Sequence, residues 1–222
     1  MELIDHINQF KTNSFLLDFY KICRSNSNLF VQIFAAMRFF WKLYFRLSGW
    51  KITQPFPIDL PKAVIIVAPH TSAMDFPIGL AVRSILKIQH THYLGKEELF
   101  NGPFGFFFRM TGGYPVNRFS KLNMVDQVVE IFNQHTHFLL ALSPEGTRKK
   151  VDRLRTGFYH IAQKANVPIV MVGFDFANKE VSIAEAFYAG NDEAADFKKI
   201  IQFFAPIQGK IPHLGIAHLL TD

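Results

Sequence analysis

Short apolar runs alternate along the chain with longer stretches in which hydrophobic residues recur at helical spacing. The run AVIIVA at 63–68 is continuously apolar, which is typical of a buried strand. The pattern predicts further strands at 91–94, 137–142, 168–174 and 180–183, the last two paired as a hairpin. It predicts helices at 75–88, 121–133, 156–165 and 191–204, the last capped by Asn191 or Asp192, and a short helix or turn at 102–110. This alternation predicts an α/β fold, with a central mixed sheet flanked by helices.

The first 50 residues differ from the rest and predict a helical segment. Within them, Arg38, Lys42 and Arg46 recur every four residues and form a basic stripe on a helix from 29 to 50. The remaining helix surface is bulky and apolar, with Phe34, Phe40, Trp41, Tyr44 and Leu47. This combination favours a helix lying on anionic lipid; the alternative is a helix packed on the domain with its charges in water. We therefore predict a membrane-association segment at 1–50, including one further helix within 1–28, and a separate domain at 51–222 that begins with a proline-rich linker.

The composition adds a high hydrophobic content and a positive charge. Hydrophobic residues make up 49% of the 222 residues, which is enough for a sizeable core. The 25 phenylalanines predict contact with lipid or an acyl chain, unless the core is simply rich in phenylalanine. The net charge of +6 predicts a partner with phosphates, such as a nucleic acid, an anionic membrane or a phosphorylated substrate.

Other classes of site are excluded by the residues present. The single Cys23 rules out an internal disulfide and a cysteine-based zinc site, and it is compatible with a reducing cytosol. The nine histidines show no familiar ligand spacing, so no metal site is expected. No charge-free stretch reaches the roughly 20 residues of a spanning helix, and the acidic Glu2 and Asp5 argue against a signal peptide.

A histidine and an aspartate follow the first predicted strand. His70 should emerge into a cleft at the carboxyl end of that strand, and Asp75 lies five residues on, near the start of the next helix. The carboxylate would then orient the imidazole through Nδ1 and leave Nε2 free to take a proton from a hydroxyl. The alternative is an ordinary loop histidine beside a helix-capping aspartate.

A second polar block, SPEGTR at 143–148, follows the predicted strand at 137–142. Gly146 allows the backbone to approach a ligand closely, and Arg148 offers a planar fork suited to phosphate. Glu145 would orient either Arg148 or the substrate. The alternative is a surface turn followed by a solvated basic run at 148–155. Between the two blocks, GGYPVNR at 112–118 predicts a tight turn and a second anion-binding residue, Arg118. After both blocks, VPIVMVG at 167–173 predicts a core strand beside the site.

The four blocks, in this order and spacing, resemble those of the glycerolipid acyltransferases, the PlsC-like lysophosphatidic acid acyltransferase family. HTSAMD matches the His-x4-Asp motif of that family, GGYPVNR its glycine-to-arginine motif, SPEGTR its Pro-Glu-Gly-Thr-Arg motif and VPIVMV its proline-bearing motif. The resemblance covers roughly residues 51–222 and implies that they form an acyltransferase catalytic domain. Pro69, Asn117 and Lys149 stand where the family often has Asn, Asp and Ser, which leaves the choice of acceptor open.

The resemblance also implies residue roles and partners. It implies His70 as general base and Asp75 as its partner, and it places Gly113, Arg118, Glu145, Gly146, Thr147 and Arg148 in the acceptor site. The implied donor is acyl-CoA or acyl-carrier protein, with no metal and no organic cofactor. Phe104, Phe106, Phe107 and Phe108 would then line the acyl-chain path or enter the bilayer, or else pack under the cleft.

The expected reaction is transfer of a fatty acyl group to a lysophospholipid. The first expectation is 1-acylglycerol 3-phosphate as acceptor, giving phosphatidic acid at the cytoplasmic face of the cell membrane, in a peripheral or monotopic protein. Another lysolipid, such as a lyso-ornithine lipid, is an alternative acceptor, and a non-catalytic lipid-binding protein of the same fold is an alternative class. A nucleic-acid partner is not expected, because no binding motif is recognisable.

Overall fold

The structure, a computed structural model, describes residues 27–57, 59–116 and 123–220 of the chain. Most of the further helix predicted within residues 1–28 lies outside these ranges, and so does Arg118.

Seven strands of the described chain form one sheet in the order β1-β7-β6-β2-β5-β3-β4. Their bounds are Lys51–Ile52 (β1), Lys62–Ala68 (β2), Thr91–Lys96 (β3), Gly113–Val116 (β4), Phe138–Leu142 (β5), Ile169–Asp175 (β6) and Glu180–Ile183 (β7). Strands β6, β2, β5, β3 and β4 are parallel, whereas β7 pairs antiparallel with β6 and parallel with β1. The predicted mixed sheet is confirmed, and so is the hairpin formed by its last two strands.

Helices cover both faces of this sheet. Their bounds are Ser27–Ser48 (α1), Asp75–Ile85 (α2), Glu97–Asn101 (α3), Gly105–Met110 (α4), Met124–Gln134 (α5), Gly157–Ala165 (α6) and Glu193–Phe204 (α7). Short 3-10 turns follow at Pro212–Leu214 and Ala217–Leu220. The predicted cap of α7 is confirmed as Asp192, whose carboxylate accepts the Ala195 N–H at 3.0 Å.

Three short elements differ from the prediction. Strand β1 lies where the linker was expected to begin, and its two residues are too few to produce a recognisable pattern. Strand β4 lies where GGYPV predicted only a turn, because its extended form comes from pairing with β3 rather than from its own propensity. The expected element at 102–110 is preceded by the separate helix α3, and α4 itself occupies only Gly105–Met110.

The core consists of two apolar layers on opposite faces of the sheet. Alternate residues of the buried strands enter different layers: Val64 and Ile66 face helices α5, α6 and α7, whereas Ala63 and Ile65 face α1 and α2. This double coverage explains why residues 63–68 of β2 and 169–174 of β6 are continuously apolar. The polar residues that follow these runs lie at the carboxyl edge of the sheet.

Helix α1 packs on the domain with one face and exposes another. Phe45 is buried in the layer beneath it, and the Arg38 Nε donates to the Ser84 carbonyl at 3.1 Å, so this face fits the packed alternative. Large apolar residues that are exposed on the helix include Met37, Phe39, Phe40, Leu43 and Leu47, and Lys42 and Arg46 are exposed beside them. Over the described ranges, every helix is either too short or too polar to cross a membrane.

Candidate active site

His70 and Asp75 form a hydrogen-bonded pair in the loop between β2 and α2. The His70 Nδ1 lies 2.9 Å from Oδ2 of Asp75. Because a carboxylate can only accept, Nδ1 carries the proton, and the lone pair of Nε2 remains free. The imidazole keeps about a third of its surface exposed (33%), whereas the carboxylate is almost completely buried (4%). The arrangement leaves Nε2 accessible as a proton acceptor and fixes the orientation of the ring through Nδ1.

Asp75 is held by the loop that it closes. Its Oδ2 also accepts the backbone N–H of Ser72 at 3.1 Å, and the residue is the first of helix α2 after the N-cap residue Met74. The amino end of a helix is a favourable place for a carboxylate, because the unpaired N–H groups there carry partial positive charge. The alternative in which Asp75 only caps the helix therefore does not describe the structure, since its carboxylate also contacts the imidazole.

Glu145 approaches the same loop from the neighbouring strand. Strands β2 and β5 are parallel neighbours, so the loops that follow them meet at one edge of the sheet. There the Glu145 Oε1 accepts the backbone N–H of His70 at 2.7 Å, and the side chain is fully buried. Burial raises the pKa of the Glu145 carboxyl to about 7, against the lowering effects of the His70 N–H and imidazole. Its second oxygen, Oε2, has no hydrogen-bond partner in the described part of the chain.

The backbone turns sharply after Glu145. Gly146 has a φ of +68°, in the left-handed region that favours glycine, and a Cβ there would lie 3.2 Å from the Arg155 side chain. Thr147 is half-buried, and its Oγ1 accepts the Lys149 N–H at 3.3 Å. Arg148 is exposed, and it has no ion pair among the described residues. Its guanidinium is therefore available to an anion on the same edge of the sheet as His70.

The glycine-to-arginine block is only partly described. Arg118, the second predicted anion-binding residue, lies outside the described ranges. Gly113 opens strand β4 and is buried, and a Cβ there would come within 2.8 Å of the Phe100 ring and 2.7 Å of the Phe108 carbonyl. The observed reason for this glycine is close packing beneath helix α4. Its predicted contact with substrate stays a prediction.

One buried residue of the loop was missed by the sequence reasoning. Thr71 is almost completely buried (2% exposed), and its Oγ1 accepts the backbone N–H of Ile211 at 3.1 Å. These residues lie 140 positions apart. Neither belongs to a recognisable pairing pattern, so no signal in the sequence could have found the contact.

Exposed apolar residues lie next to Asp75 and on helix α4. Met74 and Phe76 flank Asp75 and are exposed, and Phe76 packs edge-on against Tyr93 of β3. On helix α4 and the residue before it, the exposed apolar residues are Phe104, Phe106, Phe107 and Met110. Across the described ranges, no three His, Cys, Asp or Glu side chains are arranged to hold a metal ion.

The site therefore combines an oriented base with a fixed backbone and an exposed cation. Such a group can deprotonate a hydroxyl that is held nearby through an anionic substituent. In that chemistry the substrate hydroxyl itself becomes the nucleophile.

Comparisons with known proteins concern the fold and the family of the chain. The 1-acyl-sn-glycerophosphate (LPA) acyltransferase PlsC from Thermotoga maritima has a similar fold, with a TM-score of 0.54 and 19% identity over 77% of this chain and 76% of that chain. A search of curated proteins gives no significant match. The family model described as Acyltransferase matches residues 51–175, more than half of the chain, including His70, Asp75 and Glu145. The chain therefore belongs to the Acyltransferase family and is an acyltransferase with a PlsC-like α/β fold.

Proposed function

We propose that the protein transfers a fatty acyl group from a thioester to the free hydroxyl of a lysophospholipid. The proposed acceptor is 1-acylglycerol 3-phosphate, which gives phosphatidic acid, and the proposed donor is acyl-CoA or acyl-carrier protein. The observation that carries the proposal is the 2.9 Å contact between His70 Nδ1 and Asp75 Oδ2, which leaves Nε2 free and accessible. The similarity to a solved LPA acyltransferase supports the choice of acceptor.

The reaction needs only one proton to be transferred, from the acceptor hydroxyl to the departing thiolate. The Nε2 of His70 takes the proton from the acceptor hydroxyl as its oxygen attacks the thioester carbonyl carbon. Asp75 stabilises the imidazolium that forms, as the carboxylate does in a Ser-His-Asp triad. The tetrahedral intermediate then collapses, the carbon–sulfur bond breaks and the thiolate receives the proton from Nε2. An ester and a free thiol are the products, so no covalent enzyme intermediate is required.

The acceptor phosphate is assigned to Arg148 and Arg118. Arg148 is exposed and unpaired within the described ranges, and a guanidinium can bind two phosphate oxygens at once. Arg118 would be the second arginine of this clamp. Gly146 and Thr147 precede Arg148 in the same turn, and their backbone is assigned to the acceptor site.

Glu145 is assigned a different task from the one that the resemblance implies. Its carboxyl is fully buried and contacts the His70 backbone rather than Arg148. We infer that it fixes the position of the His70 backbone relative to strand β5. A group without solvent exposure is poorly suited to bind an acceptor that enters from outside.

We further propose that the site works at a membrane surface. The exposed apolar face of α1 lies beside the cations Lys42 and Arg46, a combination that suits the interface of an anionic bilayer. Residues 1–50 would then hold the catalytic domain at 51–222 on the cytoplasmic face, as a peripheral or monotopic protein. The exposed phenylalanines of α4 would contact the acyl chain or the lipid.

Mass spectrometry of lipids tests this proposal. The purified full chain would be incubated with acyl-CoA or acyl-carrier protein and a panel of acceptors that includes 1-acylglycerol 3-phosphate and lyso-ornithine lipid. Phosphatidic acid as the dominant product supports the proposal, whereas a different acylated lipid would replace the proposed acceptor. Lipid binding without acyl transfer from either donor would overturn the enzymatic proposal in favour of a binding protein, a class that the His70–Asp75 pair argues against.

A further inference from the structure

A C-terminal segment outside the matched family region lies across the carboxyl edge of the sheet. We name residues 207–211 the C-terminal strap; it follows α7 and precedes the first 3-10 turn. The Gln208 carbonyl accepts the Phe176 N–H at 2.8 Å, just past the end of β6. Ile207 packs directly on Gly173 of β6, where a side chain would have no room. The strap is therefore attached to the strand beside β2.

The other end of the strap contacts the loop that carries the catalytic pair. Ile211 donates its N–H to the Thr71 Oγ1 at 3.1 Å. Gly209 is buried so close to this loop that a Cβ would lie 2.7 Å from the same Oγ1 and 3.3 Å from the Pro69 side chain. The Thr71 side chain is thus held between the strap and the loop, with 2% of its surface exposed.

Three consecutive residues of the loop are fixed from three different parts of the chain. The His70 N–H is bound by Glu145 after β5, the Thr71 hydroxyl by Ile211 of the strap, and the Ser72 N–H by Asp75 of α2. A loop residue held on both sides in this way has little freedom to change its dihedral angles. The direction of the imidazole depends on this backbone, because its Nδ1 must meet Asp75 while Nε2 faces the substrate.

We propose that Thr71 is a positioning residue of the acyl transfer, held by the C-terminal strap through Ile211 and Gly209. This inference rests on the proposed function, in which His70 is the general base. Its expected signature is a loss of turnover without a loss of substrate affinity, because Thr71 is buried and touches the backbone beside the base rather than the substrate. A misplacement of a catalytic group by about 1 Å costs on the order of 100-fold in rate.

Three substitutions separate the hydroxyl contact from the packing. Thr71→Val keeps the shape and removes the acceptor, and it should lower kcat about 10- to 100-fold with KM for both substrates within about twofold. Thr71→Ser keeps the hydroxyl and should retain kcat within about threefold. Gly209→Ala pushes on the Thr71 side chain and should lower kcat in the same way as Thr71→Val. Thr91→Val is the matched control, because Thr91 is similarly buried (9% exposed), begins β3 at the opposite edge of the sheet, and has no hydrogen-bond partner for its hydroxyl in the described part.

A second readout does not depend on turnover. In the full-length protein, NMR of the imidazole detects the proton on Nδ1 of His70 that is shared with Asp75. This signal should weaken or shift in Thr71→Val and stay unchanged in Thr71→Ser and Thr91→Val. If the wild-type protein shows no transfer at all, the proposed function fails, and the imidazole signal still tests the positioning role.

The inference is overturned if Thr71→Val keeps both the wild-type kcat and the wild-type His70 signal. It is also overturned if its kcat falls no further than that of Thr91→Val, or if Thr71→Ser loses as much as Thr71→Val. Should Thr71→Val fail to fold, Gly209→Ala decides the question, since unchanged turnover and an unchanged His70 signal in that variant would contradict the strap contact.

Discussion

Glu145→Gln replaces a buried carboxyl with an amide of the same shape that cannot ionise. The amide oxygen can still accept the backbone N–H of His70, which lies 2.7 Å from Oε1 in the native protein. The side chain is fully buried, and this burial raises the pKa of the Glu145 carboxyl from its ordinary 4.5 to about 7. The substitution therefore isolates the cost of charging this group from the contact that it makes.

The size of the effect follows from the two pKa values. In the unfolded chain Glu145 loses its proton near pH 4.5, whereas in the folded protein it keeps the proton up to about pH 7. The folded state thus loses stability relative to the unfolded state as the pH rises from 4.5 to 7. The full loss is about 3 kcal/mol, since a tenfold change in an equilibrium corresponds to about 1.4 kcal/mol. Between pH 5 and pH 8, the Gln variant should gain about 2 to 3 kcal/mol on the wild type.

Urea unfolding of both proteins in the same mild detergent at pH 5 and pH 8 measures this difference. At pH 5 both side chains are largely neutral in the folded protein, so the two free energies of unfolding should agree within about 1 kcal/mol. At pH 8 the variant should be the more stable of the two. Glu130→Gln, at an exposed glutamate of α5, is the control and should show no such divergence. The reasoning is refuted if wild type and Glu145→Gln depend on pH in the same way.

Three further predictions concern the pair, the phosphate clamp and the membrane face. Asp75→Asn should lower kcat about 100- to 10,000-fold, because an amide can donate to Nδ1 and so place the imidazole proton on Nε2. Steady-state kinetics measure this loss, and circular dichroism checks that the variant is folded. Arg148→Ala should raise KM for the phosphorylated acceptor at least about 10-fold and leave KM for the donor unchanged, whereas Arg153→Ala in the same exposed loop should change neither. Phe40→Asp should weaken sedimentation with anionic vesicles, and Gln202→Asp, at an exposed position of α7, should not; equal binding by both would contradict the proposed membrane face.

The sequence was most informative where structure and chemistry are local. Strands β2 and β6 were predictable, because burial on both faces leaves a continuous apolar run in each. The contact of His70 with Asp75 was predictable as well, since five residues and a helix start bring the two side chains together. Helical spacing predicted bulky apolar residues along α1, but which of them pack on the domain and which are exposed depends on α2 and could not be read from that spacing.

The contacts that link distant segments could not be predicted. Glu145 was expected to orient Arg148 or the substrate, and only the register of β2 against β5 brings it to the His70 backbone. Strand β4 depends on its pairing with β3 and has a weak pattern of its own. The hydrogen bond between Thr71 and Ile211 joins residues that share no motif.

The central claim is that His70 acts as the general base of an acyl transfer to a lysolipid hydroxyl. The most direct test compares wild type with His70→Ala in two measurements: acylated lipid by mass spectrometry, and binding of the lysolipid by calorimetry in detergent. We predict that the wild type forms product from 1-acylglycerol 3-phosphate and a thioester, and that His70→Ala forms essentially none while binding the lysolipid as well as the wild type. Wild-type turnover by purified, folded His70→Ala would contradict the account.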